Sequence, residues 1–282
     1  MNIANSMITN VAGPGFVSPA LASRKRYPFV FVIDVSGSTG SLPDPDIDHI
    51  NKAIAILLDT LRNPVPSSEL QKQADSIDIC MIAYSASPVV ILPWSTVPNL
   101  PAALPPLTPQ SCTGTGAAMQ AALAQIGDRL RYYNDPANQF AHGMPHIIHL
   151  TDGAMNDMVP GDPLWNSIKS QINALDGSTD PEKRRITMLH FLSPKGCDKA
   201  RIQVGNNLYT GQQLLAQLSG KDTVFEMGKE VSSFERLILL ITVVITKITQ
   251  NFGGVATTRM TLDSAAAAHV TTPAGMPITQ PA

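Results

Sequence analysis

The chain has 282 residues, 44% of them hydrophobic and only 15% charged, with a formal net charge of −2. That length supports one large domain or two small ones around a sizeable core, and the near-neutral balance excludes a basic field that would recruit nucleic acid or an anionic membrane. Cys80, Cys112 and Cys197 form no CxxC pair and leave an odd count, so neither a disulfide framework nor a zinc knuckle is expected, and a reducing, cytoplasmic compartment fits best.

In chain order, residues 1–26 read as a flexible arm in which Asn, Gly, Pro and Ser recur without an export signal. Tyr27–Ile33 is a continuous apolar run rich in β-branched and aromatic residues, the pattern of a central strand covered on both faces. A Ser/Gly-rich loop follows at Asp34, and then Ile47, Ile50, Ile54, Leu57, Leu58 and Leu61 mark one face of a helix that Pro64 ends. Ile77–Ala83 predicts a second strand and Pro88–Leu92 an edge partner for it. A Pro-rich loop from Pro98 to Pro109 leads into a helix over Thr115–Leu130. Ile147–Leu150 is a third core strand. Helix Leu164–Leu175, strand Ile186–Leu192, helix Gly211–Leu218, strand Thr223–Phe225 and helix Ser232–Gln250 complete the series.

The most apolar stretch, Leu237–Ile245, is nine residues long and interrupted by Thr242, against the roughly 20 that a membrane span requires, so no membrane span is expected. Residues 253–282 are rich in Ala, Thr and Pro and are expected to be a disordered tail, which leaves residues 27–252 as the folded domain. Strands alternating with helices predict an α/β fold: a doubly wound, mostly parallel central sheet with one antiparallel edge strand and helices on both faces.

Ligands of such a sheet sit beyond the carboxyl ends of its strands. There the loop after the first strand places oxygen at alternate positions, Asp34, Ser36 and Ser38, and turns at Gly37. The loop after Ile147–Leu150 supplies Asp152 and Gly153, and between them Thr113 and Thr115 open a helix. This is an all-oxygen set with no His or Cys, the preference of a hard cation such as Mg²⁺ or Mn²⁺. With carboxylates acting through water, a coordination position stays open for an incoming carboxylate.

These residues resemble the von Willebrand factor A domain and its metal-ion-dependent adhesion site, whose pattern is DxSxS, a Thr in a TxTGxA-type turn, and TDG. Asp34, Ser36 and Ser38 match the first part, Thr113 in Thr113-Gly114-Thr115-Gly116-Ala117 the second, and Asp152 in Thr151-Asp152-Gly153 the third, with the likeness covering roughly residues 27–250. The resemblance implies that Ser36, Ser38 and Thr113 bind metal directly, that Asp34 and Asp152 act largely through water, and that the metal grips an Asp or Glu of a partner protein. Within the family the chain is most similar to bacterial TerY-like proteins of tellurite resistance, through the DxSGS opening, the Pro-rich stretch and the segment Asp152-Gly153-Ala154-Met155-Asn156-Asp157. That likeness implies a stress or phosphosignalling setting with a Ser/Thr kinase and a PP2C-type phosphatase. Two departures stand out: Thr39 where Met is common, and Ser111-Cys112 where Gly-Gly is common.

Other residues carry alternatives. Asp44, Asp46 and Asp48 read as charge favouring a helix N-terminus in preference to metal ligation. Asp157 is either a group orienting the site or a loop cap. His146 and His149, three apart in a strand, point to opposite faces and so form no metal pair. Trp165 lines the rim or packs in the core. An Asp at the end of the first strand also opens haloacid-dehalogenase phosphatases, but the general-acid position two residues on is Ser36, so no enzyme is expected. The remaining alternative is an adaptor for an AAA+ ATPase or a structural part of a larger assembly.

Overall fold

The computed structural model of the chain describes residues 25–40, 46–66, 68–110, 112–138, 140–176, 186–193, 201–219, 224–227, 245 and 270–271. In order these form β1 (Tyr27–Asp34), α1 (Asp46–Arg62), α2 (Glu69–Gln73), β2 (Ile77–Tyr84), β3 (Pro88–Thr96), α3 (Thr115–Asn134), β4 (His146–Thr151), α4 (Pro163–Asp176), β5 (Thr187–Leu192), β6 (Arg201–Val204), β7 (Asn207–Thr210), α5 (Gly211–Ser219), β8 (Val224–Met227) and β9 (Val270–Thr271).

The apolar run of β1 lies at the centre of a seven-stranded sheet of order β3-β2-β1-β4-β5-β8-β9, and all eight of its residues are buried. It pairs in parallel with β2 and β4, β4 pairs in parallel with β5, and β5 with β8. Every parallel strand therefore ends at the same edge of the sheet, where the loops that follow β1 and β4 meet. β3 is the antiparallel edge strand expected from the sequence, extended to Thr96. At the opposite edge β9 adds a short antiparallel pairing with β8, which the sequence reading did not foresee.

Alternation along the strands divides the core into two layers. Phe29, Phe31 and Ile33 face α1, packing against Ile50, Leu57 and Leu58, whereas Val30 and Val32 face the other way, toward Met119, Ala122 and Ile126 of α3 and Ile168 of α4. Each layer buries the apolar stripe of its helices, the arrangement that makes a doubly wound sheet stable. Trp165 is buried in the second layer, so it packs in the core and not at a rim. Of the helix expected over Ser232–Gln250 only Ile245 is described; it is helical and buried in the first layer. Of the expected N-terminal arm only Lys25 and Arg26 are described, and Arg26 is tied to the domain by a bridge to His142 and an ion pair with Asp78. Asp44 and the expected tail apart from β9 lie outside the described residues.

β6 and β7 form an antiparallel hairpin between β5 and α5. Its signal was present in the sequence: two short runs flank Gly205-Asn206, a dipeptide suited to a two-residue hairpin turn. The hairpin is bound to α5 by a reciprocal cap, in which Gln213 N–H donates to Thr210 Oγ1 at 3.2 Å and Thr210 N–H donates to Gln213 Oε1 at 2.9 Å. Among the described residues no helix is long and apolar enough to cross a membrane.

Candidate functional site

Asp34 is the last residue of β1 and has no exposed surface. Its Oδ1 accepts the Ser36 backbone N–H at 2.8 Å, which folds the next two residues back over the strand end. Its Oδ2 accepts the hydroxyls of Thr151 at 2.9 Å and Tyr84 at 3.2 Å. Burial, and after it the negative charge of Asp152, raise the Asp34 carboxyl to about 6. A carboxyl raised by a second carboxyl nearby is the condition that a cation relieves.

The Asp34 turn presents Ser36 and Ser38 on the same side. Their Oγ atoms are 3.0 Å apart, and Ser38 Oγ donates to Asp152 Oδ2. Thr39 secures this short 3-10 turn by donating from Oγ1 to Ser36 O at 2.7 Å. Asp152 is itself held by a turn, accepting the Ala154 N–H on Oδ1 at 3.0 Å, while Gly153 N–H donates to Thr151 Oγ1 at 3.0 Å. The structure thus brings Asp34, Ser36, Ser38 and Asp152 into one hydrogen-bonded group at the strand ends.

Thr113 lies in the adjoining loop, 4% exposed, and makes no hydrogen bond to those four residues. Its loop is tied to them through its backbone. Gln110 N–H donates to Val35 O at 2.7 Å, Ser85 Oγ donates to Gln110 Oε1 at 2.9 Å, and Gly114 N–H donates to Ser85 O at 2.5 Å. Thr115, also buried, donates to Ala154 O at 3.4 Å and so links α3 to the loop of Asp152.

Asp157 resolves its two alternatives. Its Oδ1 and Oδ2 accept the backbone N–H groups of Gly116 and Ala117 at 2.8 and 2.9 Å. It caps α3 from a distant loop, satisfying donors that a helix start otherwise leaves free. It therefore positions the loop of Thr113 without touching the oxygen group.

Ser193 and the close approach at Gly211 were not singled out from the sequence, and Asp46 was read there mainly as helix-terminal charge. Asp46, in the first turn of α1, is buried, accepts the hydroxyl of Ser193 at the end of β5, and lines a small cleft with Asp34, Thr39, Thr151 and Asp152. Gly211, first residue of α5, meets the loop of Asp152: a Cβ built on it would fall 1.7 Å from Gly153 O. Gly153 has a φ of +84°, a left-handed conformation that glycine adopts without strain. Cys112 adopts a φ of +72°, also left-handed, at the position where the resembled family commonly has glycine.

The oxygen group fits a small hard cation. In an octahedron with metal–oxygen distances of about 2.1 Å, adjacent ligands lie about 3.0 Å apart, the Ser36–Ser38 Oγ separation observed here. Two carboxylates, Asp34 and Asp152, would supply the charge to a cation held there. Among the described residues no group of three or more His, Cys, Asp or Glu is arranged to hold a metal, so a site here relies on its hydroxyls.

No protein-family model matches the chain, and no curated protein matches it. Solved structures do. The pilus adhesin SpaC from Lactobacillus rhamnosus GG superposes with a TM-score of 0.52 at 12% identity, over 81% of this chain and 31% of the adhesin. A von Willebrand factor type A structure from Catenulispora acidiphila gives 0.48 at 16% identity, over 77% of this chain and 42% of that one. BatB from Bacteroides thetaiotaomicron gives 0.45 at 16% identity, over 80% and 100%. This chain therefore spans about a third of the length of the adhesin, and the likeness is one of fold. The mostly parallel sheet, the helices on both faces and the loops gathered at the strand ends define a doubly wound α/β domain.

Proposed function

We propose that this chain is a metal-dependent protein-interaction module. Asp34, Ser36, Ser38, Thr113 and Asp152 would hold Mg²⁺ or Mn²⁺, and the metal would take an Asp or Glu carboxylate of a partner protein at its remaining position. The observation that carries this reading is the convergence of Ser36 Oγ, Ser38 Oγ and Asp152 Oδ2 into one run of hydrogen-bonding oxygens at the strand ends, with a 3.0 Å Ser36–Ser38 separation. The second carboxylate, Asp34, is fully buried beside them. When bound, the metal would supply Lewis acidity toward the partner's oxygen; the chain's residues orient the ligands.

Binding, and not catalysis, is the proposed role. The side chains that hydrogen-bond to the two carboxylates do so through hydroxyls, and Ser36 stands where a haloacid-dehalogenase phosphatase needs its general acid. The motif likeness to TerY-like proteins favours a cytoplasmic stress or phosphosignalling role beside a Ser/Thr kinase and a PP2C-type phosphatase. An adaptor for an AAA+ ATPase is the alternative that the same fold accommodates.

Calorimetric titration of the chelated chain with MnCl2 tests the metal directly. Saturable binding near one equivalent is expected, with a rise in melting temperature that grows with metal concentration. Asp152→Ala should abolish both while keeping the far-UV spectrum of the wild type. A wild-type chain whose melting is the same in MnCl2 and in chelator would overturn the metal, and a metal-independent phosphatase activity lost in Asp34→Asn would overturn the binding role.

A further inference from the structure

In the fold, His146 and His149 do point to opposite faces: His146 stacks on Phe29 at a 5.0 Å centroid distance, and His149 lies in the other layer against Tyr84. His149 belongs to a buried polar run. Tyr84 Oη lies 3.2 Å from Asp34 Oδ2 and 2.7 Å from His149 Nε2, and His149 Nδ1 lies 2.9 Å from Nδ1 of His190. Register builds this run, because Tyr84 sits beside Asp34, His149 beside Val32 and His190 beside His149. One polar line thus crosses β5, β4, β1 and β2 under the site. Tyr84 is 1% exposed, and both histidines have no exposed surface.

The direction of this line follows from donor counting. An ionised carboxylate only accepts, and Tyr84 has a single hydroxyl proton. Directed at Asp34, that proton leaves the Tyr84 oxygen to accept from His149, which must then carry its proton on Nε2. His149 Nδ1 becomes an acceptor, and His190 must donate from Nδ1. The run then ends at His190 Nε2, which has no partner among the described residues. In this direction the orphaned end is a bare lone pair. Reversed, it would be a buried N–H, the rarer and costlier orphan.

We propose that Tyr84, His149 and His190 are positioning residues for the site: a one-way chain of hydrogen bonds, His190 to His149 to Tyr84 to Asp34, that fixes the Asp34 carboxylate beneath the serine loop. The chain of donors stands on geometry alone; its effect on ligand binding rests on the metal reading above. Thr151 completes the arrangement by donating to the same Oδ2, so that this oxygen is turned toward the interior while Oδ1 holds the loop. The side-chain carboxylate and the loop that carries Ser36 and Ser38 are in this way set by residues on three neighbouring strands.

Long-range proton–nitrogen correlation of the imidazoles in the full chain at pH 8 without metal reads the protons directly. His149 is expected to be protonated on Nε2 alone and His190 on Nδ1 alone. His149 protonated on Nδ1 would overturn the chain. Affinity for Mn²⁺, measured on chains with wild-type-like spectra, reads the positioning. Tyr84→Phe is expected to lose about tenfold to a hundredfold in affinity. His149→Leu is expected to lose as much, and His149→Gln, which keeps a side-chain N–H toward Tyr84, to retain most of it. Equal affinity for Tyr84→Phe and the wild type would overturn the positioning role. A wild type that binds no Mn²⁺ overturns the metal reading and the effect on binding with it, while the two tautomers still decide the chain itself.

Discussion

The carbonyl oxygen of Gly153 lies 1.7 Å from where a Cβ on Gly211 would stand. The start of α5 and the loop of Asp152 thus touch backbone to backbone, and the capped hairpin before α5 holds that contact in place. Alanine in place of glycine ordinarily favours a helix by about 1 kcal/mol. Here Gly211→Ala should have the opposite sign, costing about 1–3 kcal/mol as the loop is displaced, and should weaken Mn²⁺ binding because Asp152 moves with the loop. Urea denaturation and metal titration of the variant check both effects. A stabilised variant would show that the loop yields without strain.

Cys112 gives a prediction of stabilisation. Its φ of +72° is a conformation that a side chain disfavours by about 1–2 kcal/mol. The residue is exposed, so little packing is lost on shortening it. Cys112→Gly should raise stability by up to about 1 kcal/mol, the relief of strain being partly offset by the greater freedom of glycine in the unfolded chain. Denaturant midpoints at constant m-value measure this.

Acid should destabilise the fold before any carboxylate of ordinary pKa is protonated. Burial holds His146 at about 4 and His190 at about 3, and burial with the neighbouring His190 holds His149 well below its ordinary value. Unfolded, each takes up a proton near pH 6.5. Stability from these histidines is therefore present above pH 6.5 and lost as pH falls toward 4. Asp34, raised to about 6, acts in the reverse sense, favouring the folded chain as the pH falls through 6. Three protons against one leave the unfolded chain about two protons richer near pH 5, a loss of about 3 kcal/mol per pH unit on acidification. Urea midpoints at pH 7, 6 and 5 in the metal-free chain test the sign; a midpoint that rises on acidification would refute it.

At the far end of the sheet, Asp78 holds two guanidinium groups with no exposure of its own side chain. Arg26 lies 3.0 Å from its Oδ1 and Arg129 2.8 Å from its Oδ2, and the Tyr133 hydroxyl donates to it as well. Arg129 also stacks over Trp94, 5.4 Å from the ring centre. Removing the carboxylate strands these partners, so Asp78→Ala should cost about 3–5 kcal/mol. Because the cluster lies at the opposite strand ends, Mn²⁺ affinity of the folded fraction should be unchanged.

Much of the fold was legible along the chain because its strands are buried on both faces and so read as unbroken apolar runs, as Tyr27–Ile33 does. The hairpin of β6 and β7 escaped notice because its strands are short and partly exposed, leaving only the Gly205-Asn206 turn as a signal. Asp34, Ser36 and Ser38 were visible as neighbours in sequence, since one tight turn sets their alternate spacing. Asp152 and Thr113 were visible through their motifs and their places after a strand and before a helix.

Sequence alone determined the doubly wound class and the identities of the candidate oxygen ligands, because periodicity and short-range turn chemistry are written locally. Only the tertiary structure decided what surrounds Asp34. Tyr84, His149 and His190 stand on three separate strands, and parallel register, which no local pattern encodes, lays them side by side. The same holds for Asp157, which caps α3 from about 40 residues away, and for Gly211, whose importance lies in an atom it lacks.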